Sequence, residues 1–167
     1  MEWCTILLFS ADLMIIQIYT DGASRGNPGR SASGYILLSD KGKLLFSHVF
    51  YNRKCTNNKA EYIAIIEALK MALSSYGSDN EVKLHSDSEL VVNQLNGKYR
   101  VREAHLKPLY KEAITLLKTF SKFSVTSVRR EDKNISNVDH ELNVLLDRIE
   151  ADPPENATSG TKRQSTL

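Results

Sequence analysis

Ile15-Ile16-Gln17-Ile18-Tyr19-Thr20-Asp21-Gly22-Ala23-Ser24-Arg25-Gly26-Asn27-Pro28-Gly29 is the stretch from which the rest of the chain is read. Ile15 to Thr20 is rich in β-branched side chains and reads as a strand. From Asp21 to Ser33 the composition turns to Gly, Pro, Ser and Asn, which reads as a loop. Gly34 to Ser39 and Leu44 to Tyr51 are strand-like runs joined by Asp40-Lys41-Gly42-Lys43, a hairpin signal. Ala60, Ala64, Ile66, Leu69 and Leu73 recur at helical spacing, so Asn58 to Ser74 is expected to be an amphipathic helix. Further along, Glu81 to His85 reads as a strand, Asp87 to Leu95 as a short helix, and Pro108 to Phe120 as a long helix entered from about Arg102. Phe123 to Arg129 alternates as a strand, and Asp139 to Ile149 reads as a last helix. Strands first, then alternating helices and strands, predict an α/β fold with a mixed sheet and helices packed on it.

The composition excludes several function classes. The 167 residues fit one domain. With 22 basic and 20 acidic residues the net charge is +2, too balanced to coat nucleic acid by bulk charge. Cys4 and Cys55 have no CxxC spacing and read as free thiols in a reducing, cytoplasmic compartment. The apolar run Ile6 to Phe9 is too short for a membrane span and lacks the basic flank of a secretory signal. Residues 1–14 are expected to be a short N-terminal extension, with translation starting naturally at Met14. Residues 15–150 form the folded domain, and residues 151–167, rich in Pro, Ser, Thr and Asn, are expected to be a disordered tail. A monomer with no membrane association is the simplest expectation.

Four acids stand where an element begins or ends: Asp21 after the first strand, Glu61 early in the first long helix, Asp87 after the fourth strand, and Asp139 opening the last helix. Gathered at the rim of a sheet they would repel one another unless protons or hard cations neutralised them. Mg²⁺ suits such a set, because it takes oxygen ligands and keeps waters and phosphate oxygens as the rest. Each acid also has a structural reading. Ser86-Asp87-Ser88-Glu89 and Ser136-Asn137-Val138-Asp139 fit capping boxes, Asn58-Lys59-Ala60-Glu61 is a looser version, and Asp21-Gly22 is a common turn start. Spacing alone leaves both readings open.

The residues around the acids carry a resemblance. Tyr19 to Gly29 resembles the opening motif of type 1 ribonucleases H almost residue for residue. Thr56-Asn57-Asn58-Lys59-Ala60-Glu61, His85-Ser86-Asp87-Ser88 with Val91-Val92, and Asn134 with Asp139 ahead of Leu142-Asn143 are similar to the motifs that follow it in that family, in the same order. The resemblance covers Ile15 to Ile149 and implies a five-stranded mixed sheet flanked by helices. It also implies sequence-nonspecific, endonucleolytic hydrolysis of the RNA strand of RNA–DNA hybrids by two Mg²⁺ or Mn²⁺ ions, giving 5′-phosphate and 3′-hydroxyl ends. By the same resemblance Asp21, Glu61, Asp87 and Asp139 match metal-binding carboxylates. Asp21 would lie between both ions, Glu61 would serve one ion and the RNA, and Asp139 the other ion near the nucleophilic water. Gly22, Ser24, Asn27, Asn57, Asn58, Ser88 and Asn134 match positions that touch the hybrid, and Thr56 one that holds a DNA phosphate.

Three departures from the family pattern stand out. The loop Arg129 to Val138 holds no histidine where many members carry one; His140, Arg130 or Glu131 are the available substitutes. The interval from Asn134 to Asp139 is one residue longer than usual. The basic handle of some members is missing, with Lys98, Arg100, Arg102, Lys107 and Lys111 as a reduced substitute. Two rivals remain: a nuclease of this fold acting on double-stranded RNA or RNA–DNA junctions, and a non-catalytic hybrid-binding domain. His48, His85 and His105 show no metal-ligand spacing and read as structural.

Overall fold

The computed structural model describes residues 13–152. The N-terminal extension, apart from its last two residues, and nearly all of the expected C-terminal tail lie outside the described residues. Five strands form one sheet: β1 (Ile15–Gly26), β2 (Gly29–Ser39), β3 (Leu44–Cys55), β4 (Glu81–Ser86) and β5 (Lys122–Ser127), in the order β3-β2-β1-β4-β5. β1, β2 and β3 are antiparallel neighbours, whereas β4 and β5 run parallel to β1. The helices are α1 (Asn57–Tyr76), α2 (Glu89–Leu95), α3 (Lys107–Thr119) and α4 (Lys133–Ala151).

The two faces of the sheet are covered unequally. On one, Ile16, Ile18, Leu37, Val82 and Leu84 pack against Tyr62, Ile65 and Leu69 of α1 and against Leu117 of α3, in the main core. On the other, Val138, Leu142 and Leu146 of α4 meet Ala32, with Ile36 and Val49 at the margin.

The stretch Asp21 to Ser33 is not a loop. β1 continues to Gly26 and pairs with β2 through every register from Asp21↔Gly34 to Gly26↔Gly29, leaving only Asn27 and Pro28 as the turn. Its small residues serve packing. A Cβ on Gly22 would stand 2.4 Å from the Glu61 amide nitrogen, so β1 and α1 meet backbone to backbone. A Cβ on Gly34 would lie 2.7 Å from Val49 Cγ1 and 2.9 Å from Val138 Cγ1, so α4 rests directly on β2. Helix approach from both sides demands small side chains here, and their composition imitates a loop.

Helix starts differ from the expected ones for a common reason. Thr56, not Asn58, caps α1, its Oγ1 accepting from the Lys59 amide at 3.3 Å. α2 begins at Glu89 behind Ser88, leaving Asp87 outside the helix. α3 begins at Lys107 with Pro108 in its first turn, and residues from Arg102 to Leu106 are not helical. The largest shift is at α4, where Asp132 is the cap and its Oδ1 accepts from the amides of Asn134 (2.9 Å) and Ile135 (3.3 Å). Asp139 therefore lies inside the helix, and Ser136 to Asp139 is no capping box. The helix ends at Ala151, one residue into the expected tail.

Candidate active site

Register and close packing bring the acids together. β1 and β4 are parallel neighbours with Thr20 beside Ser86, so Asp21 of β1 and Asp87, the residue just past the end of β4, come next in each chain segment. The contact of α1 with Gly22 sets Glu61 beside Asp21. Val138 of α4 sits on Gly34, the register partner of Asp21, and the next residue, Asp139, lines the same cleft as Asp21. Asp21, Glu61 and Asp87 each offer an oxygen, all within 4.8 Å of one another. All four acids line one cleft of about 370 Å³, together with Gly22, Ala23, Ser24, Arg25, Asn57, Ser88, Arg130 and Asn143.

This cluster is under electrostatic load. Asp21 and Glu61 are only 4% and 3% exposed. Asp21 Oδ1 accepts from the Gly22 amide at 2.8 Å, but Asp21 Oδ2 and Glu61 Oε2 are buried with no hydrogen-bond partner. Burial, then the charges of Asp87 and Asp139, push the Asp21 carboxyl up to about 7. Burial and the neighbouring Asp21 and Asp87 raise Glu61 well above the carboxylate range, and burial raises Asp87 as well. Buried carboxylate oxygens without donors need a proton or a cation. An all-oxygen donor set around a 4.8 Å cluster fits a hard divalent cation.

The expected substrate residues divide. Gly22, Ser24, Asn57 and Ser88 line the cleft. Asn27 sits at the hairpin turn, and its Oδ1 accepts from the Asn57 amide at 3.2 Å, which ties the turn to the start of α1. The Ser24 hydroxyl lies within reach of the Cys55 carbonyl at 2.8 Å. Thr56 caps α1, while Asn58 and Asn134 are first-turn helix residues that do not line the cleft. Four cleft residues lie outside the expected set: Ala23, Arg25, Arg130 and Asn143. Arg25 and Asn143 stand inside quoted motifs, and Arg130 was one of the candidates to replace the loop histidine. His140, another candidate, lines a separate groove with His48 and Ser136. Lys98, Arg100 and Arg102 surround another groove beside the exposed Tyr99. His85 stacks on Tyr19 with ring centroids 4.6 Å apart, and burial lowers its pKa, in keeping with a structural role.

Residues 19–137 match the model of the reverse transcriptase-like family. Ribonuclease HI of Halobacterium salinarum is 39% identical over 115 residues, which cover 69% of this chain and 57% of that protein. The chain thus corresponds to little more than half the length of that curated relative. The crystal structure of RNase H1 from Halobacterium salinarum is 36% identical, with a TM-score of 0.74 over 80% of this chain and 98% of its own. A ribonuclease H1 isolated from compost, solved in complex with an RNA/DNA hybrid, is 34% identical, with a TM-score of 0.74 over 81% of this chain and 99% of its own. The chain belongs to the reverse transcriptase-like family and, within it, to the type 1 ribonucleases H.

Proposed function

We propose that this protein is an endonuclease that hydrolyses the RNA strand of RNA–DNA hybrids without regard to base sequence, leaving 5′-phosphate and 3′-hydroxyl ends. The observation that carries this reading is the convergence of Asp21, Glu61 and Asp87, two of them with a buried, unpartnered oxygen, on the floor of a polar cleft. The hybrid bound by the related compost enzyme supplies the substrate class. The unit that does this is residues 15–150, acting as a monomer in the cytoplasm.

Asp21, Glu61, Asp87 and Asp139 would hold two divalent cations, Mg²⁺ or Mn²⁺. Such ions supply a water of lowered pKa and stabilise the departing oxygen of an in-line displacement. The chain does the rest. The Gly22 amide fixes Asp21 Oδ1, leaving Oδ2 free as a ligand atom. Asn57, Ser88 and Ser24 on the cleft wall, together with Asn27 and Asn58, are short polar groups of the kind that touch sugar hydroxyls and base edges in a minor groove and detect a 2′-hydroxyl without reading base sequence. The Thr56 hydroxyl spends its lone pair on the Lys59 amide and keeps its proton for a phosphate of the DNA strand.

The test is cleavage of a labelled RNA–DNA hybrid with Mg²⁺ or Mn²⁺, beside matched double-stranded RNA and an Asp21→Asn variant. Metal-dependent cleavage confined to the hybrid and lost in the variant is expected. No cleavage, or equal cleavage by the variant, refutes the reading; cleavage of double-stranded RNA widens the substrate.

A further inference from the structure

The fourth carboxylate is arranged unlike the other three. Asp139 stands outside the group within 4.8 Å, and its Oδ1 is engaged by Arg130 Nη2 at 3.3 Å. Arg130 lies between β5 and α4 and lines the cleft, and its charge offsets part of the rise that burial imposes on the Asp21 and Asp87 carboxyls. The other arginine on the cleft wall is committed elsewhere: Arg25 contacts Asn143 at 3.2 Å, Asp147 at 2.7 Å and Glu150 at 3.7 Å. Among the described cleft residues, Arg130 is therefore the positive charge turned toward the acids.

A guanidinium keeps its proton at any working pH. Arg130 thus cannot carry protons as an imidazole would; it is a fixed charge on a flexible stem. Its side chain is 72% exposed, so it can leave Asp139 at little cost. A cation arriving at Asp139 must displace it or sit beside its charge.

We propose that Arg130 is a tethered counter-ion that competes with a divalent cation for Asp139, and thereby sets the affinity of the weaker of the two cation positions. At the other position, on Asp21, Glu61 and Asp87, Arg130 acts only through its charge at a distance and bonds to none of the carboxylates. Arg130 is a positioning residue in this scheme, and the inference rests on the two-cation reading above.

Mn²⁺ alone, titrated into the full chain and followed by calorimetry and electron paramagnetic resonance, tests it without substrate. The wild type is expected to bind one ion tightly and one weakly. Arg130→Ala should tighten the weak position by roughly three- to fivefold, the scale of an exposed ion pair, and tighten the other by less. In metal-free buffer the same variant should melt slightly earlier, because Asp139 has lost its partner. An unchanged or weakened second position overturns the proposal. Should Arg130→Ala fail to fold, Arg130→Gln, neutral and of similar length, decides by the same criterion. A wild type that binds no Mn²⁺, or binds it equally well after Asp21→Asn, fails at the level of the two-cation reading instead.

Discussion

The two faces of the sheet hold the site in different ways. The face under α1 and α3 is a broad core of fully buried Ile, Leu and Tyr side chains, and the acids it positions, Asp21 and Glu61, are buried with it. The face under α4 is a narrow strip of Ala32, Val138, Leu142 and Leu146, and the acid it presents, Asp139, is half-buried and salt-bridged. Burial raises the pKa of the first pair; Asp139 instead finds a neighbouring cation. One side of the cleft is a buried floor of clustered acids, and the other is a more exposed wall whose acid is ion-paired. A carboxylate held by the main core contributes geometry, whereas one held by a thin layer contributes tunable occupancy.

The largest expected effect tests the floor directly. Asp21→Asn should lower cleavage by more than about a hundredfold, beyond the loss that follows removal of an outer partner of a metal ligand; steady-state assays on a hybrid check it. Next comes the unequal packing. Leu84→Ala in the main core should cost about 2–5 kcal/mol of global stability by denaturant melts. Leu142→Ala should act locally, and hydrogen exchange should show α4 amides opening before those of β1 and β4. If both variants open the whole domain together, the contrast between the faces is wrong.

A smaller effect concerns pH. The Asp21 carboxyl stands at about 7 in the fold against an ordinary 3.8. The folded state therefore binds a proton that the unfolded state has released, so this contribution is present below about pH 3.8 and is lost as pH rises through about 7. Metal-free protein should lose on the order of 4 kcal/mol across that window, a loss that Asp21→Asn removes and millimolar Mg²⁺ offsets. A melting temperature flat from pH 4 to 8 would contradict it. The smallest effect is on the wall: Arg25→Ala removes exposed ion pairs to Asp147 and Glu150 and should cost below about 1 kcal/mol, fading at high salt.

These two regions also differ in how far the sequence discloses them. Asp21, Glu61 and Asp87 were legible because each sits in a short motif whose neighbours, such as Gly22 and Ser88, share the cleft. Asp139 was legible as a residue but not as a position. Ser136 to Asp139 imitates a capping box, while the real cap, Asp132, precedes a helix whose apolar spacing begins at Ile135. Asp21 to Ser33 was misread for a different reason. Propensity cannot distinguish small residues that make a turn from small residues that admit two helices, and here only Asn27 and Pro28 make the turn. The ion pair of Arg130 with Asp139 crosses from a loop to a helix, and no local pattern encodes it.

The backbone contact between Gly22 and α1 has a practical consequence. The usual way to silence such a site is to neutralise an acid, which changes the field that a polyanion meets. A methyl group at position 22 would press on the Glu61 amide from 2.4 Å and push the helix outward, with every carboxylate still present. Gly22→Ala should thus displace Glu61 while leaving the formal charge of the cleft unaltered.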